Sequence, residues 1–190
     1  MSIRAVAEAV GVTSPSVYRH FPSKQHLVRE VLRLRFQEFR EALLEAARRS
    51  HQPGGRLLEA CRAYVSFGLA NPGHYRLLFS TAGMGPMAAG LRAGEAHPGE
   101  TSLAVLFELV AERLGEGPEM VPRALELWSS LHGIVDLRIT KPEMDWPPED
   151  ALVRLALRVI DETAEGRTAD GSIAEARLST ASSRQPRSPR

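Results

Sequence analysis

Cysteine is nearly absent: Cys61 stands alone in 190 residues. A single thiol cannot close an internal disulfide or complete a zinc cluster, and its scarcity suits a reducing cytosol. Cys61 falls in an apolar helical stretch, where it reads as a core filler. No apolar run approaches the roughly eighteen residues of a membrane span, and the first residues lack the order of a signal peptide. A soluble, cytoplasmic protein with no membrane contact is therefore expected. The six histidines show no H-E-x-x-H spacing, and there is no G-x-S-x-G elbow, P-loop or dinucleotide fingerprint. His132 and Asp136 form an i, i+4 pair with no nucleophile placed beside it. An enzyme lacks its parts here, and neither a metal nor a cofactor is expected. Strand periodicity is also missing, so the chain is expected to be all-α.

What is present is concentrated near the start, in the run Gly11-Val12-Thr13-Ser14-Pro15-Ser16-Val17-Tyr18-Arg19-His20-Phe21-Pro22-Ser23-Lys24. Before it, Ile3, Val6, Ala7 and Val10 recur at three- and four-residue spacing, one face of a short helix that Ser2 can cap. Gly11 supplies the positive φ that ends that helix, and Val12 is placed to tuck the turn onto the core. Thr13 is a good N-cap for the next helix, with Pro15 in its first turn, where a missing amide proton costs little. Val17 and Phe21 point inward, which leaves Ser14, Pro15, Ser16 and Arg19 on the outer face. Ser23 caps a third helix. Lys24 at its start opposes the helix dipole, a placement that a phosphate would favour. The whole reads as a helix-turn-helix that lays its second helix into the major groove.

This run, followed by a long amphipathic helix, resembles the DNA-binding domain of the tetracycline-repressor (TetR) family of bacterial regulators. The resemblance implies that Thr13, Ser14, Ser16 and Arg19 face bases or nearby phosphates, with Pro15 among them on that outer face. It implies that Tyr18, His20 and Lys24 contact the backbone, and that Phe21 is core. In that family a further helix precedes the motif, whereas here Met1 stands immediately before it. The expectation is either a start codon placed too late or a real truncation with impaired DNA binding.

Net charge is +1, unevenly spread: residues 1–35 carry six Arg or Lys against two acids, residues 36–165 thirteen against nineteen, and residues 166–190 five against two. A basic head on an acidic body suits a DNA-binding head, since phosphate neutralisation supplies most non-specific affinity. Three parts are expected: a helix-turn-helix domain over 1–45, a helical ligand-binding and dimerisation domain over 46–165, and a disordered tail over 166–190. The link is one long helix over 23–50, whose apolar residues Val28, Val31, Leu32, Phe36, Phe39, Leu43 and Ala46 keep a helical period. Residues 51–55 read as a break and residues 82–99 as a flexible glycine-rich loop in which 87–91 could form a helical turn. Helices are expected around 57–71, 74–79, 100–114, 122–139 and from 148 to about 165.

The last two body helices are apolar beyond what one chain needs and suit a four-helix bundle with a second copy. In the resembled family that is the dimer interface. Tyr64, Phe67, Tyr75, Phe79, Phe107, Trp128 and His132 would line a small-molecule pocket. Trp128-Ser-Ser-Leu-His132-Gly133 resembles the W-x-x-x-H-G signature of one TetR-type C-terminal domain. Together these features describe a homodimeric transcriptional regulator, a repressor that a small-molecule effector releases from a double-stranded DNA operator. The alternative is a dimeric helical small-molecule sensor that has lost DNA binding.

Overall fold

The computed structural model describes residues 2–79 and 99–182, with side chains through residue 166. The expected loop over 82–99 lies, apart from Gly99, outside the described residues. Eight α-helices and no strand occur among the described residues: α1 (Ile3–Ala9), α2 (Ser14–His20), α3 (Lys24–Ala47), α4 (Pro53–Ala70), α5 (Pro72–Phe79), α6 (Glu100–Leu114), α7 (Met120–Thr140) and α8 (Glu149–Ser182). None of them is long and apolar enough to cross a membrane.

The head holds a small core of Ile3, Ala7 and Val17, against which Phe21 and Leu27 pack. Ser2 caps α1, its hydroxyl accepting from the Ala5 amide at 3.2 Å. Gly11 takes φ +70°, and the Val12 amide donates to the Ala7 carbonyl at 2.9 Å to close the turn. Two apolar residues depart from expectation. Val10 is 65% exposed and Val12 45% exposed. The chain leaves α1 at Val10, the C-cap, so Val10 and Val12 belong to a turn that swings their side chains off the buried face. Thr13 occupies the N-cap position of α2 with extended backbone, yet its side chain makes no capping hydrogen bond.

The body core is larger and is built on α4, which packs against α3, α5, α6, α7 and α8. Its buried face carries Leu57, Ala60, Cys61, Tyr64, Val65 and Gly68. Cys61 is fully buried, and burial holds its thiol well above the usual range, which leaves it unreactive. Polar ties close the rim: Arg62 bridges to Asp150 at the start of α8, Arg113 to Asp161 at 3.1 Å, and the Arg76 guanidinium donates to the Ile139 carbonyl at 3.3 Å.

Three boundaries differ from the sequence reading. The break after α3 falls over 48–52 rather than 51–55, because Pro53 opens α4 at its first position and draws Gly54 and Gly55 into the helix. Helix α7 begins at Met120, before Pro122, for the same reason: a proline in the first turn gives up no intrahelical bond. The last helix does not stop near residue 165. Its backbone stays helical to Ser182, against the expectation of a disordered tail, through a segment whose best helix formers are four alanines set among Gly, Ser and Thr.

Candidate functional site

The α2 face comes first. All eight residues singled out in the motif lie at the surface of the head: Thr13, Pro15, Tyr18, Arg19, His20 and Lys24 are exposed, and Ser14 and Ser16 half-buried. Buried Val17 anchors α2 from beneath, so the opposite side of the helix must face outward. Ser16 sits one turn before Arg19, and its hydroxyl accepts from the Arg19 guanidinium at 3.1 Å. That contact holds the planar fork against the outer face of α2. The next helix is fixed by Ser23, whose hydroxyl accepts from the His26 amide at 3.1 Å, and this sets Lys24 beside the end of α2. Tyr18 is 52% exposed, far more than an aromatic ring with a packing role.

The second site is a cavity of about 290 Å³ in the body. Phe36, Phe39 and Leu43 of α3 form one wall, Tyr64 of α4, Leu78 and Phe79 of α5 another, and Ser102, Leu103, Leu106 of α6 with Trp128 of α7 close it, with Gly99 and Glu100 at its border. The rings meet edge to face: Phe36 and Phe79 at 5.8 Å between centroids, Phe39 and Tyr64 at 5.0 Å. Buried Ser102 turns its hydroxyl away from the space and donates to the Phe36 carbonyl at 3.0 Å.

Behind this wall runs a polar chain. The Tyr64 hydroxyl lies 3.2 Å from that of Tyr75, which lies 2.7 Å from Nδ1 of His132. Burial pushes the Tyr64 hydroxyl up to about 12 and raises that of Tyr75 further, so both stay protonated at neutral pH. Burial also lowers His132, against the opposing pull of Asp136 one turn on, and keeps its ring neutral. A neutral imidazole offers one acceptor nitrogen, which is what a tyrosine hydroxyl needs.

Of the seven residues expected at a pocket, Tyr64, Phe79 and Trp128 line the cavity. Tyr75 and His132 stand behind it as the polar chain. Phe67 packs on the far side of Phe39, at 5.0 Å between ring centroids, and borders a shallow surface groove between α3 and α4 instead. Phe107 does not line it: α6 turns the arc of Ser102, Leu106 and Leu103 to the cavity, and Phe107 lies about 40° beyond the edge of that arc. The lining residues outside that expectation are Phe36, Phe39, Leu43, Leu78, Ser102, Leu103 and Leu106, with Gly99 and Glu100 at the border. Their signal was present, since Phe36 and Phe39 were already visible as apolar positions of α3, but periodicity tells only that a face is covered and not by what. Among the described residues no group of three or more His, Cys, Asp or Glu is arranged to hold a metal ion.

Known proteins place this architecture. The family model described as the tetracyclin repressor-like C-terminal domain matches residues 57–163, and that for bacterial regulatory proteins of the tetR family matches residues 1–31. The chain is 29% identical over 175 residues to an uncharacterised HTH-type transcriptional regulator of Mycobacterium tuberculosis, spanning 89% of this chain and 77% of that one. Two solved structures share the fold. One is a protein with unknown function from a Rhodococcus species, at TM-score 0.66 and 24% identity over 87% of this chain and 84% of that one. The other is a TetR family transcriptional regulator from Thermus thermophilus, at TM-score 0.58 and 17% identity over 85% and 88%.

Proposed function

The chain belongs to the tetracycline-repressor family of helix-turn-helix transcriptional regulators, and on that premise we propose that it is a homodimeric repressor which a small molecule in the body cavity releases from its operator. It is a DNA-binding regulator rather than an enzyme. The observation that carries the finer reading is the continuity of α3. One helix gives Leu27 to the head core and Phe36, Phe39 and Leu43 to the cavity wall. An occupant that prefers a displaced wall shifts the head with it, and its preference between the two geometries sets the size of the response.

On this reading α2 enters the major groove. Arg19, held by Ser16, reads a base edge, for which the guanidinium fork is suited to guanine, and Tyr18, His20 and Lys24 grip phosphates. Selection from a random duplex pool, followed by anisotropy titrations on the selected site, tests this. Tyr18→Phe and Lys24→Ala should weaken binding to every duplex alike, and Lys24→Ala should also flatten the salt dependence by ~0.9 log units per log unit of salt. Arg19→Ala should change which site is selected. Binding by the wild type with no sequence preference, or none at all, would favour the sensor without DNA binding.

Dimerisation is supported by apolar side chains left bare on the last two helices. Val121, Leu125 and Leu137 of α7 are each more than two-fifths exposed and Leu155 of α8 is 59% exposed, although both helices are otherwise rooted in the core. Such side chains suit an isologous four-helix contact. Leu125→Glu combined with Leu155→Glu should convert a dimer to a folded monomer in sedimentation velocity, with an unchanged helical spectrum. A wild-type monomer at micromolar concentration would remove this part of the reading.

A further inference from the structure

The cavity's own chemistry selects among effectors, and this argument rests on the reading that the cavity is the effector site. Five rings border it: Phe36, Phe39, Tyr64, Phe79 and Trp128. No Lys, Arg or His is among the described residues that line it, and its one charged border residue, Glu100, is an acid. Among the described residues, the hydroxyl hydrogens around it are used within the protein. Ser102 gives its proton to the Phe36 carbonyl, and the hydroxyls of Tyr64 and Tyr75 are joined to each other and to His132.

An anion entering such a space gives up its hydration and meets no cation among the described lining residues in return. A flat uncharged ring gives up little and gains stacked and edge contacts on several sides. At about 30 Å³ for each water-sized group, the volume accommodates about ten such groups, the size of two fused six-membered rings. We propose that the cavity binds an uncharged, planar, mainly apolar molecule of about two fused rings and rejects a carboxylate of the same frame.

The test uses the full chain and three molecules with one ring system: 2-naphthol, 2-naphthoate and 2-naphthylmethylammonium. The chain has two tryptophans and hence two indole N–H resonances, Trp128 at the cavity and Trp146, whose Nε1 donates to the Lys141 carbonyl at 2.9 Å. The expected result is that 2-naphthol shifts the Trp128 resonance, assigned through Trp146→Phe, and that calorimetry gives it an affinity at least about tenfold above that of 2-naphthoate. Leu103→Trp and Leu106→Trp, which fill the cavity from two positions on α6, should each abolish this heat, and a variant that keeps the wild-type melting temperature is the one that counts. Equal or tighter binding of 2-naphthoate, tightest binding of the ammonium, or a shift confined to Trp146 would overturn the ligand class. Binding of 2-naphthol that leaves DNA affinity unchanged would instead uphold the ligand class and remove the effector reading beneath it. Failure of all three to bind would overturn the proposal itself.

Discussion

Gly68→Ala should lower the stability of the body by about 1–3 kcal/mol, the range for adding one methyl to a filled core. Gly68 lies on the buried face of α4 where α5 and α7 come closest. A Cβ there would stand 2.9 Å from Cδ2 of Tyr75 and closer still to Cγ1 of Val135. Neither neighbour can yield cheaply. Val135 is fully buried, and Tyr75 is held at its hydroxyl by both Tyr64 and His132, so moving its ring loosens two hydrogen bonds. At about 2–4 °C for each kcal/mol in a chain of this size, the melting temperature should fall by about 2–12 °C. Gly133 on α7 is the internal control, because a Cβ there meets nothing within 4 Å. Gly133→Ala should raise stability by about 0.4–1 kcal/mol through the lost freedom of the unfolded chain. Thermal melts of the two variants side by side check both signs. A Gly68→Ala protein that melts no lower than the wild type would mean that α4 stands farther from α5 and α7 than the packing described above.

The contrast between these two glycines marks where sequence reasoning stops. Both sit in helices whose apolar period is plain, and Gly68 falls on the stripe that begins at Leu57. Nothing local distinguishes the one that Tyr75 and Val135 press against from the one that stands clear, because closeness between helices depends on contacts far apart in the chain. The same limit governs the cavity. Trp128 and Phe79 are legible in the sequence as aromatic candidates, yet Phe36 and Phe39 read only as positions on a long stripe, and Phe107 reads as a candidate although its phase on α6 carries it past the cavity. The head was more legible, since its geometry is set within a few residues: Gly11 at positive φ, Ser2 and Ser23 as caps, Pro15 in the first turn. Even there Val10 and Val12 went astray, because a three- and four-residue spacing holds only while the helix continues, and α1 ends at Ala9.

The largest effect on function is expected from Arg33→Pro, which leaves both sites intact and alters only what joins them. Arg33 is exposed on α3, between Leu27, which packs in the head, and Phe36, which lines the cavity. Proline there removes the amide that reaches the carbonyl of residue 29 and drives its ring toward that carbonyl, a cost of about 3 kcal/mol to a straight helix. The free protein can relieve this by kinking. On the proposed reading, a dimer seated on DNA cannot, because two α2 helices must stay about 34–36 Å apart to enter successive major grooves. The cost therefore falls on the bound state, and operator affinity should drop by about a hundredfold, at 1.4 kcal/mol for each factor of ten. Arg33 also pairs with Glu30 at 3.0 Å, so Arg33→Ala is required beside it. That pair is largely solvated and adds little to stability, so the alanine variant should bind DNA nearly as the wild type does. If α3 is the lever, Arg33→Pro should still bind 2-naphthol with wild-type heat while what remains of its DNA affinity no longer responds to it. A proline variant that binds the operator normally and is still released by ligand would mean that the head takes its orientation from something other than the straightness of α3.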